Sequence, residues 1–293
     1  MNTGKGSVRA AAGPGKGAGR AAVGASSSPE KSAGQTAVGT ASSRDRALLA
    51  YTTRLGDNAL ILAQRMIELV AGYPELEEEL ANANFALDYI GQARMFYSYA
   101  GELEGKGRSE DDFAFLRDEN EFHNFLLIEQ PSGHFGDSIA KLVLFDSFYL
   151  LLLQALTRCS DERIAEIAAR AEKEIRYHLR HNTQWLVRLG DGTEASHARV
   201  QESIDTLWQY TGELFAADEI DQLFTECFDG PVLGAIQEQW QTHVKAILDE
   251  ATLTLPGDGW MASGGKQGRH SEHLGYMIAE MQYLQRTHPG ASW

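Results

Sequence analysis

Apolar residues recur at intervals of three and four positions from Arg46 onward, and turn signals divide this pattern into segments that are too long for strands. The pattern predicts helices over residues 46–71, 75–102, 110–129, 137–158, 161–189, 193–216, 218–228, 231–252 and 271–286. No strand and no internal repeat is indicated. We therefore expect an all-α fold whose helices pack as a bundle.

Three local features refine this prediction. The helix over residues 137–158 contains the very apolar run 142–153, which predicts a central position in the bundle. Ser160 is expected to cap the helix that follows it, because its hydroxyl can accept a hydrogen bond from the first turn. Residues 253–270 are rich in glycine and predict a long loop.

Residues 1–44 differ from the rest of the chain in composition. They are rich in Gly, Ala and Ser and lack apolar periodicity, so they are predicted to be a disordered basic extension, with residues 45–293 forming one helical domain. The extension also resembles an organelle transit peptide, although it lacks an amphipathic arginine face. A secretory signal is disfavoured, since no apolar region follows the basic residues.

The charge of the chain is uneven. Residues 1–44 contain six basic residues and one acidic residue, so they carry about +5 and leave about −20 on the rest of a chain whose net charge is −15. Nucleic-acid binding is disfavoured, because phosphate contacts need clustered Lys and Arg. Cys159 and Cys227 are too few for a disulfide framework or a Cys-based zinc site. With no predicted membrane span, we expect a soluble, cytoplasmic protein.

Two carboxylates occupy positions that should face the core. Asp88 lies within Phe85–Ile90 and Asp146 lies within Leu142–Phe148, and both stretches are strongly apolar. A buried ionised carboxylate is costly unless it meets a cation, a metal or several hydrogen-bond donors. The candidate partners are His178, Arg94 and Arg176.

The spacing of these carboxylates resembles that of a carboxylate-bridged di-iron bundle. Such a bundle takes Glu from one helix, Glu-x-x-His from the next, an acid from a third and Glu-x-x-His from a fourth. The corresponding positions here hold Asn58, then Asp88 with Gly91, then Asp146, then Ile175 with His178, and Glu174 lies beside Ile175. Asn58, Gly91 and Ile175 cannot supply the required ligands. We therefore interpret the set as a vestigial metal site whose polar members cluster without metal.

An autonomous di-iron oxygenase or ferritin-like oxidase, using Asp88, Asp146, Glu174 and His178, is the alternative hypothesis. A helical interaction module unrelated to oxygenases is a third.

Other possible sites are weaker. Glu194 and His197 match Glu-x-x-His, but they fall in a first turn where Glu194 fits a capping pattern. His270 and His273 flank the start of the last helix, where capping or a partner contact is expected. The aromatic stripe Phe113, Phe115, Phe122 and Phe125 is typical of core. Residues 120–124 interrupt that stripe with polar side chains, which could face solvent, a ligand or a partner.

Seven motifs follow one another along residues 46–293. They are Tyr51-Thr-x-Arg-Leu-Gly-Asp-Asn58, Leu87-Asp-x-x-Gly-Gln-Ala-Arg94, Arg117-Asp-Glu-x-x-Phe122, Glu129-Gln-Pro131, Lys173-Glu-x-Arg-Tyr-His-Leu-Arg180, Leu214-Phe-x-Ala-Asp-Glu-Ile220, and His273-Leu-Gly followed by Glu280-Met-Gln-Tyr-Leu-Gln-Arg286. In this order they resemble the C subunits of bacterial phenylacetyl-CoA epoxidases.

The resemblance implies a ferritin-like bundle with additional C-terminal helices. It further implies a structural, non-catalytic subunit that pairs with and stabilises a homologous A subunit, which holds the di-iron centre. The complex epoxidises the aromatic ring of phenylacetyl-CoA in aerobic phenylacetate catabolism, with a reductase and small subunits, and this chain itself would need no cofactor. By family position, the expected contacts to substrate at the subunit interface are Glu121, Phe122, His123, Asn124, Gln222, Leu223 and Phe224.

Overall fold

The computed structural model describes residues 33–69, 75–257 and 259–291, and these residues contain helices and no strand. Their α-helices, numbered α1 to α11 in chain order, are Ala33–Ile67, Leu76–Glu104, Glu110–Phe115, Leu126–Glu129, Phe135–Leu156, Glu162–Gly190, Glu194–Trp208, Glu219–Phe228, Leu233–Glu250, Glu272–Met281 and Tyr283–Thr287. Residues Thr40–Trp293 form one compact unit. The all-α prediction is confirmed.

Helix α5 lies at the centre of this unit and packs against α6, α7 and α9. Sixteen of its 22 residues are buried, which confirms the position predicted from the apolar run 142–153. Helix α5 is long and apolar enough to cross a membrane by length and composition, but 78% of its most apolar window is buried inside the protein. Trp240 of α9 donates its indole N–H to the carbonyl of Leu144 at 3.0 Å, which fixes α9 against α5.

Helix α6 packs against both α5 and α2. Its buried residues recur at intervals of three and four, as in Ile164, Ile167, Ala168 and Ala171, while the opposite face is exposed. This amphipathic pattern explains why α6 packs against both α5 and α2.

Several helix ends differ from the sequence prediction. The cap of α6 is Asp161, whose carboxylate accepts the Ile164 N–H at 2.9 Å, and the prediction of Ser160 was wrong because the N–H of Ser160 instead donates to the carbonyl of Phe228. At α7, Ser196 rather than Glu194 completes the capping box with Thr193. Helix α7 also ends at Trp208, and the predicted residues to 216 form a 3₁₀ turn over Gly212–Phe215.

The predicted helix over residues 110–129 is broken into α3, a 3₁₀ turn over Glu119–Glu121, an extended stretch and α4. The guanidinium of Arg117 donates to the carbonyls of Phe113 and Glu121 at 2.6 and 2.9 Å, so these groups need no helical partner. Asp118 then forms a capping box with Glu121, which starts a new turn. Local side-chain contacts therefore override the apolar pattern here.

Helix α1 begins at Ala33, before the predicted start at Arg46. Each added residue extends an existing helix by one hydrogen bond without a new nucleation step, so the helix can continue upstream. Residues 1–32, which hold most of the predicted disordered extension, lie outside the described residues. The predicted domain boundary near residue 45 stays a prediction.

Candidate functional site

Asp146 of α5 is buried between α2 and α6. Tyr89 of α2 donates its phenolic hydrogen to Oδ1, and Asn182 Nδ2 of α6 donates to Oδ2 at 3.3 Å. Burial removes the carboxylate from water, and this desolvation raises the pKa of Asp146 to about 7 although both hydrogen bonds act to lower it. Asp146, the polar residue inside the apolar run, is therefore a buried carboxyl group that is hydrogen-bonded but has no cation beside it.

Glu174 of α6 is linked to the same three helices through Gln92. The amide nitrogen of Gln92 donates to Glu174 Oε2 at 3.0 Å, and its oxygen accepts from the hydroxyl of Tyr149 at 3.1 Å. Tyr149 follows Asp146 by three residues on α5, so one turn of that helix presents both side chains to α2. Arg170 forms the remaining contact with Glu174, at 3.4 Å.

His178, four residues after Glu174, pairs with Asp88 of α2, with 3.0 Å between Nε2 and Oδ2. The imidazole is fully buried and lies against the ring of Phe85 at 4.1 Å. Burial lowers the pKa of His178 to about 4, and the neighbouring Asp88 carboxylate does not offset this effect. Asp88 itself keeps 43% of its side chain exposed, so the prediction that it is buried was wrong.

These contacts place three separate hydrogen-bonded groups where α2, α5 and α6 meet: Asp146 with Tyr89, Glu174 with Gln92 and Tyr149, and His178 with Asp88. Below, these seven residues are called the junction cluster. Within the described part of the chain, no group of three or more His, Cys, Asp or Glu residues is arranged to hold a metal ion. Gly91 supplies no side chain and Ile175 is a fully buried hydrocarbon. The residues present do not fit a di-iron centre.

Asn58 does not contact the junction cluster. Its amide nitrogen donates to the carbonyl of Arg54 at 3.0 Å, and its oxygen accepts the Phe125 N–H at 2.9 Å. The two arginines predicted as partners of the buried carboxylates also lie elsewhere. Arg94 pairs with Glu110 and Arg176 pairs with Glu172, both on the surface. Long side chains on exposed helix faces find carboxylates there, where less desolvation is required.

Comparison with known proteins shows which family this chain belongs to. A family model described as phenylacetic acid catabolic protein matches residues 34–293. The chain belongs to this family. It is 49% identical over 246 residues to the C subunit of the 1,2-phenylacetyl-CoA epoxidase of Escherichia coli (strain K12), and the match covers 84% of this chain and 99% of that protein. The resemblance predicted from the seven motifs is confirmed, and the fold is the ferritin-like helical bundle of this family.

The first group of substrate contacts expected within the family is only partly accessible. Glu121 is exposed and His123 is half-buried, whereas Phe122 and Asn124 are completely buried. The Asn124 amide donates to Glu129 Oε2 at 2.9 Å. Of the stretch 120–124, which could face solvent, a ligand or a partner, Phe122 and Asn124 instead point into the protein, because alternate residues of an extended segment point to opposite sides.

The second group lies on α8. Gln222 is exposed and lines a cleft of about 270 Å³, and Leu223 is half-buried. Phe224 is completely buried and stacks on Tyr51, with 3.9 Å between ring centroids. Its side chain therefore belongs to the core of this chain.

Sequence reasoning missed the best-connected buried charges. Asp57, completely buried, receives hydrogen bonds from Tyr97 at 2.7 Å and from the His123 N–H at 2.9 Å, and it pairs with Arg117. A lone arginine inside the aromatic stripe was the available signal, because a guanidinium among phenylalanines needs a buried acid. Arg117 also lies over the ring of Phe122 at 4.1 Å.

A second missed cluster joins α1, α8 and the glycine-rich loop. Arg54 pairs with Asp218 at 2.7 Å and with Asp221 at 2.9 Å, and Lys266 pairs with Asp221 as well. Three segments that are far apart in the sequence are thus held together by buried charges.

The remaining sequence candidates are structural. His197 Nδ1 contacts the carbonyl of Gly190 at 2.7 Å, and Glu194 is exposed. His270 is buried against Glu129, and the backbone carbonyl of His273 accepts a hydrogen bond from Arg65 at 3.0 Å. Three members of the aromatic stripe are buried, and Phe115 packs partly buried against them, so the prediction of core is confirmed.

Proposed function

We propose that this chain is the structural, non-catalytic subunit of a multicomponent oxygenase that epoxidises the aromatic ring of phenylacetyl-CoA. In this proposal it pairs with a homologous A subunit, stabilises it, and leaves the di-iron centre to that partner. The reductase and small subunits complete the assembly, which acts in the cytoplasm. The name of the Escherichia coli relative supports the reaction and the existence of several subunits.

The observation that carries the non-catalytic role is the state of the junction cluster. Its carboxylate oxygens are engaged by tyrosine, asparagine, glutamine, histidine and arginine side chains rather than directed at a common point. Gly91 and Ile175 occupy positions where a di-iron bundle requires ligands. Hydrogen bonds between α2, α5 and α6 instead keep these helices in register, which suits a subunit that supports a partner.

The accessible members of the expected substrate contacts are Glu121, His123, Leu223 and Gln222. We propose that these side chains lie near the acyl-CoA at the interface with the A subunit. The buried Phe122, Asn124 and Phe224 would act only by shaping the backbone beneath them.

Co-expression with the A subunit tests this proposal. We expect the two chains to copurify, iron to be bound by the pair, and this chain purified alone to contain almost none. Replacing Asp88 and His178 should lower stability without removing iron from the pair. Failure to copurify, or about two irons per chain in this protein alone with oxygen-dependent turnover, would instead favour the autonomous oxygenase or oxidase.

A further inference from the structure

The glycine-rich loop carries a short section, residues 264–271, that runs along the backbone of residues 119–126. Below, these are called the strap and the 119–126 segment. The strap begins next to Glu213, whose Oε1 accepts the Gly264 N–H at 2.8 Å. Its far end is held by Glu129, whose Oε1 accepts the Ser271 N–H at 2.6 Å. Both carboxylates are almost completely buried, so the two ends of the strap are anchored in the interior, while Gln267 and Arg269 between them are exposed.

Contacts between the strap and the segment fall on every second residue of the segment. A Cβ atom on Gly268 would lie 2.2 Å from the carbonyl oxygen of Asn120, and one on Gly265 would lie 2.2 Å from that of Asn124. Between these two, His270 Nε2 contacts the carbonyl of Phe122 at 2.8 Å. Residues 122–125 of the segment are extended, and an extended backbone alternates its sides, so the strap lies against one edge of this stretch and against Asn120 in the 3₁₀ turn before it.

The other edge of the segment is held by α1 and Arg117. The N–H groups of His123 and Phe125 donate to Asp57 and Asn58, each at 2.9 Å, and the carbonyl of Glu121 accepts from Arg117 at 2.9 Å. The segment is therefore fixed on both edges, by even-numbered residues on the strap and odd-numbered residues on the body.

The carboxylate of Glu213 links the strap to the 119–126 segment. Glu213 accepts the Gly264 N–H with Oε1 and the Leu126 N–H with Oε2, the latter at 2.9 Å. His270 makes a second link, because its Nδ1 contacts Glu129 at 2.7 Å while its Nε2 contacts Phe122. The Phe122 carbonyl can only accept, so Nε2 carries a hydrogen, and protonation of Nδ1 as well makes the imidazole a cation that pairs with the Glu129 carboxylate.

We infer that the strap is a positioning element that fixes the backbone of the 119–126 segment and, through it, the side chains of Glu121 and His123. Its relevance to the substrate rests on the function proposed above. The close approach explains glycine at both contact positions, since any side chain at Gly265 or Gly268 would push the strap away from a carbonyl. Gly268 also has a φ of +71°, which favours glycine.

The test replaces the contact glycines with alanine and compares matched controls. Gly265→Ala and Gly268→Ala add a methyl group at the contact. Gly257→Ala adds one in the same loop with no atom within 4 Å, and Gly105→Ala adds one at a φ of +66° in open space. Hydrogen exchange of the full chain is then followed by mass spectrometry in peptides that cover the 119–126 segment.

We expect exchange in the 119–126 segment to accelerate by about tenfold in both contact variants and to stay unchanged in both controls. If only strap peptides accelerate while the segment keeps its protection, the positioning role is wrong. If Gly268→Ala fails to fold, Glu213→Gln is tested in its place. This variant puts an amide nitrogen, which donates, where a carboxylate oxygen accepts a hydrogen bond from a backbone N–H group. The same exchange result is expected there.

The link to substrate is measured in the assembled oxygenase. For Gly265→Ala we expect the KM for phenylacetyl-CoA to rise about threefold with kcat nearly unchanged, because the segment contacts substrate without entering the reaction. An unchanged KM in a variant whose segment exchanges faster would overturn the positioning role. Loss of copurification of the unsubstituted chain with the A subunit would instead count against the proposed function alone.

Discussion

The guanidinium of Arg117 faces the carboxylate of Asp57 with both of its terminal nitrogens, and the two side chains are almost completely buried. Tyr97 and the His123 N–H bring two further donors to the same carboxylate. Asp57 is thus fully satisfied by four donors, whereas Asp146 has two donors and no cation. The two buried carboxylates therefore differ in how their ionised forms are stabilised.

Replacing Asp57 with alanine should destabilise the protein by about 3–5 kcal/mol, because it leaves the Arg117 guanidinium buried and uncompensated. Urea denaturation measures the change. Lys245→Ala, which removes an exposed pair with Asp249, serves as the control and should cost less than about 1 kcal/mol. Similar losses in the two variants would contradict the importance of the buried pair.

Replacing Asp146 with asparagine should change how stability depends on pH. The folded pKa of Asp146, about 7, lies above that of an unfolded aspartate. The stabilisation that Asp146 contributes to the free energy of unfolding is therefore fully present below the unfolded pKa of about 4 and is lost as the pH rises to about 7. The asparagine variant keeps an oxygen for Tyr89 but has no proton to lose.

The free energy of unfolding of both proteins, measured from about pH 4 to about pH 8, checks this expectation. The wild type should lose stability relative to Asp146→Asn over that range, by a few kcal/mol at most, since one pKa unit corresponds to about 1.4 kcal/mol. A constant difference between the two curves would show that the carboxyl group titrates alike in the folded and unfolded states, so that burial does not raise its pKa.

The His270 to Glu129 pair should make the strap sensitive to rising pH. Burial lowers the pKa of His270, but the hydrogen bond and charge of Glu129 outweigh this effect and raise the pKa above its usual value. The stabilisation is thus fully present below about pH 6.5 and is lost as the pH rises through the folded pKa. Arg65 and Tyr210 lie near Glu129, and Glu119 and His123 lie near His270.

His270→Gln should remove this dependence, because glutamine can donate to Glu129 but does not titrate. The measurement is the protection of strap amides relative to that of α5 amides, after correction for the intrinsic effect of pH on exchange. In the wild type this ratio should fall with rising pH, and in the variant it should stay level. A parallel fall in both proteins would point to another titrating group.

Gly91→Ala should stabilise the isolated chain by about 0.5–1 kcal/mol, since alanine is the better helix former and its methyl group would meet no atom within 4 Å. Thermal unfolding measures the gain. Gly56→Ala is the matched control within α1, and it should be destabilising because its methyl group would lie 2.5 Å from the ring of Tyr97. A loss of stability in Gly91→Ala would reveal packing at that position.

The sequence was sufficient for most of the helices, and it singled out Asp146 and His178 because they are polar residues on otherwise apolar faces. It was insufficient for their partners. Whether Asp146 meets Arg176 or Tyr89 depends on how three helices pack. From the sequence alone, either side chain could reach Asp146 inside a helical bundle. Arg176 pairs instead with Glu172, one turn earlier on the same exposed helix face, and this i, i+4 spacing was a sequence signal for the surface contact.

Local reasoning failed most clearly over residues 110–129. The apolar residues there fit a helical interval, but Arg117 and Asp118 redirect the backbone into turns. The strap could not be found either, because its contacts join positions separated by more than a hundred residues, such as His270 and Phe122. Glycine content indicated a loop without indicating what the loop touches.

The burial of α5 has a consequence for how the chain folds. During synthesis this apolar helix emerges before α6, α7 and α9, the helices that cover it. Helix α6 begins only a short turn later, so an α5–α6 hairpin can form early through local contacts and shield most of the apolar surface. Pulse-labelling hydrogen exchange should find α5 and α6 protected first, and simultaneous protection with α9 would contradict this order.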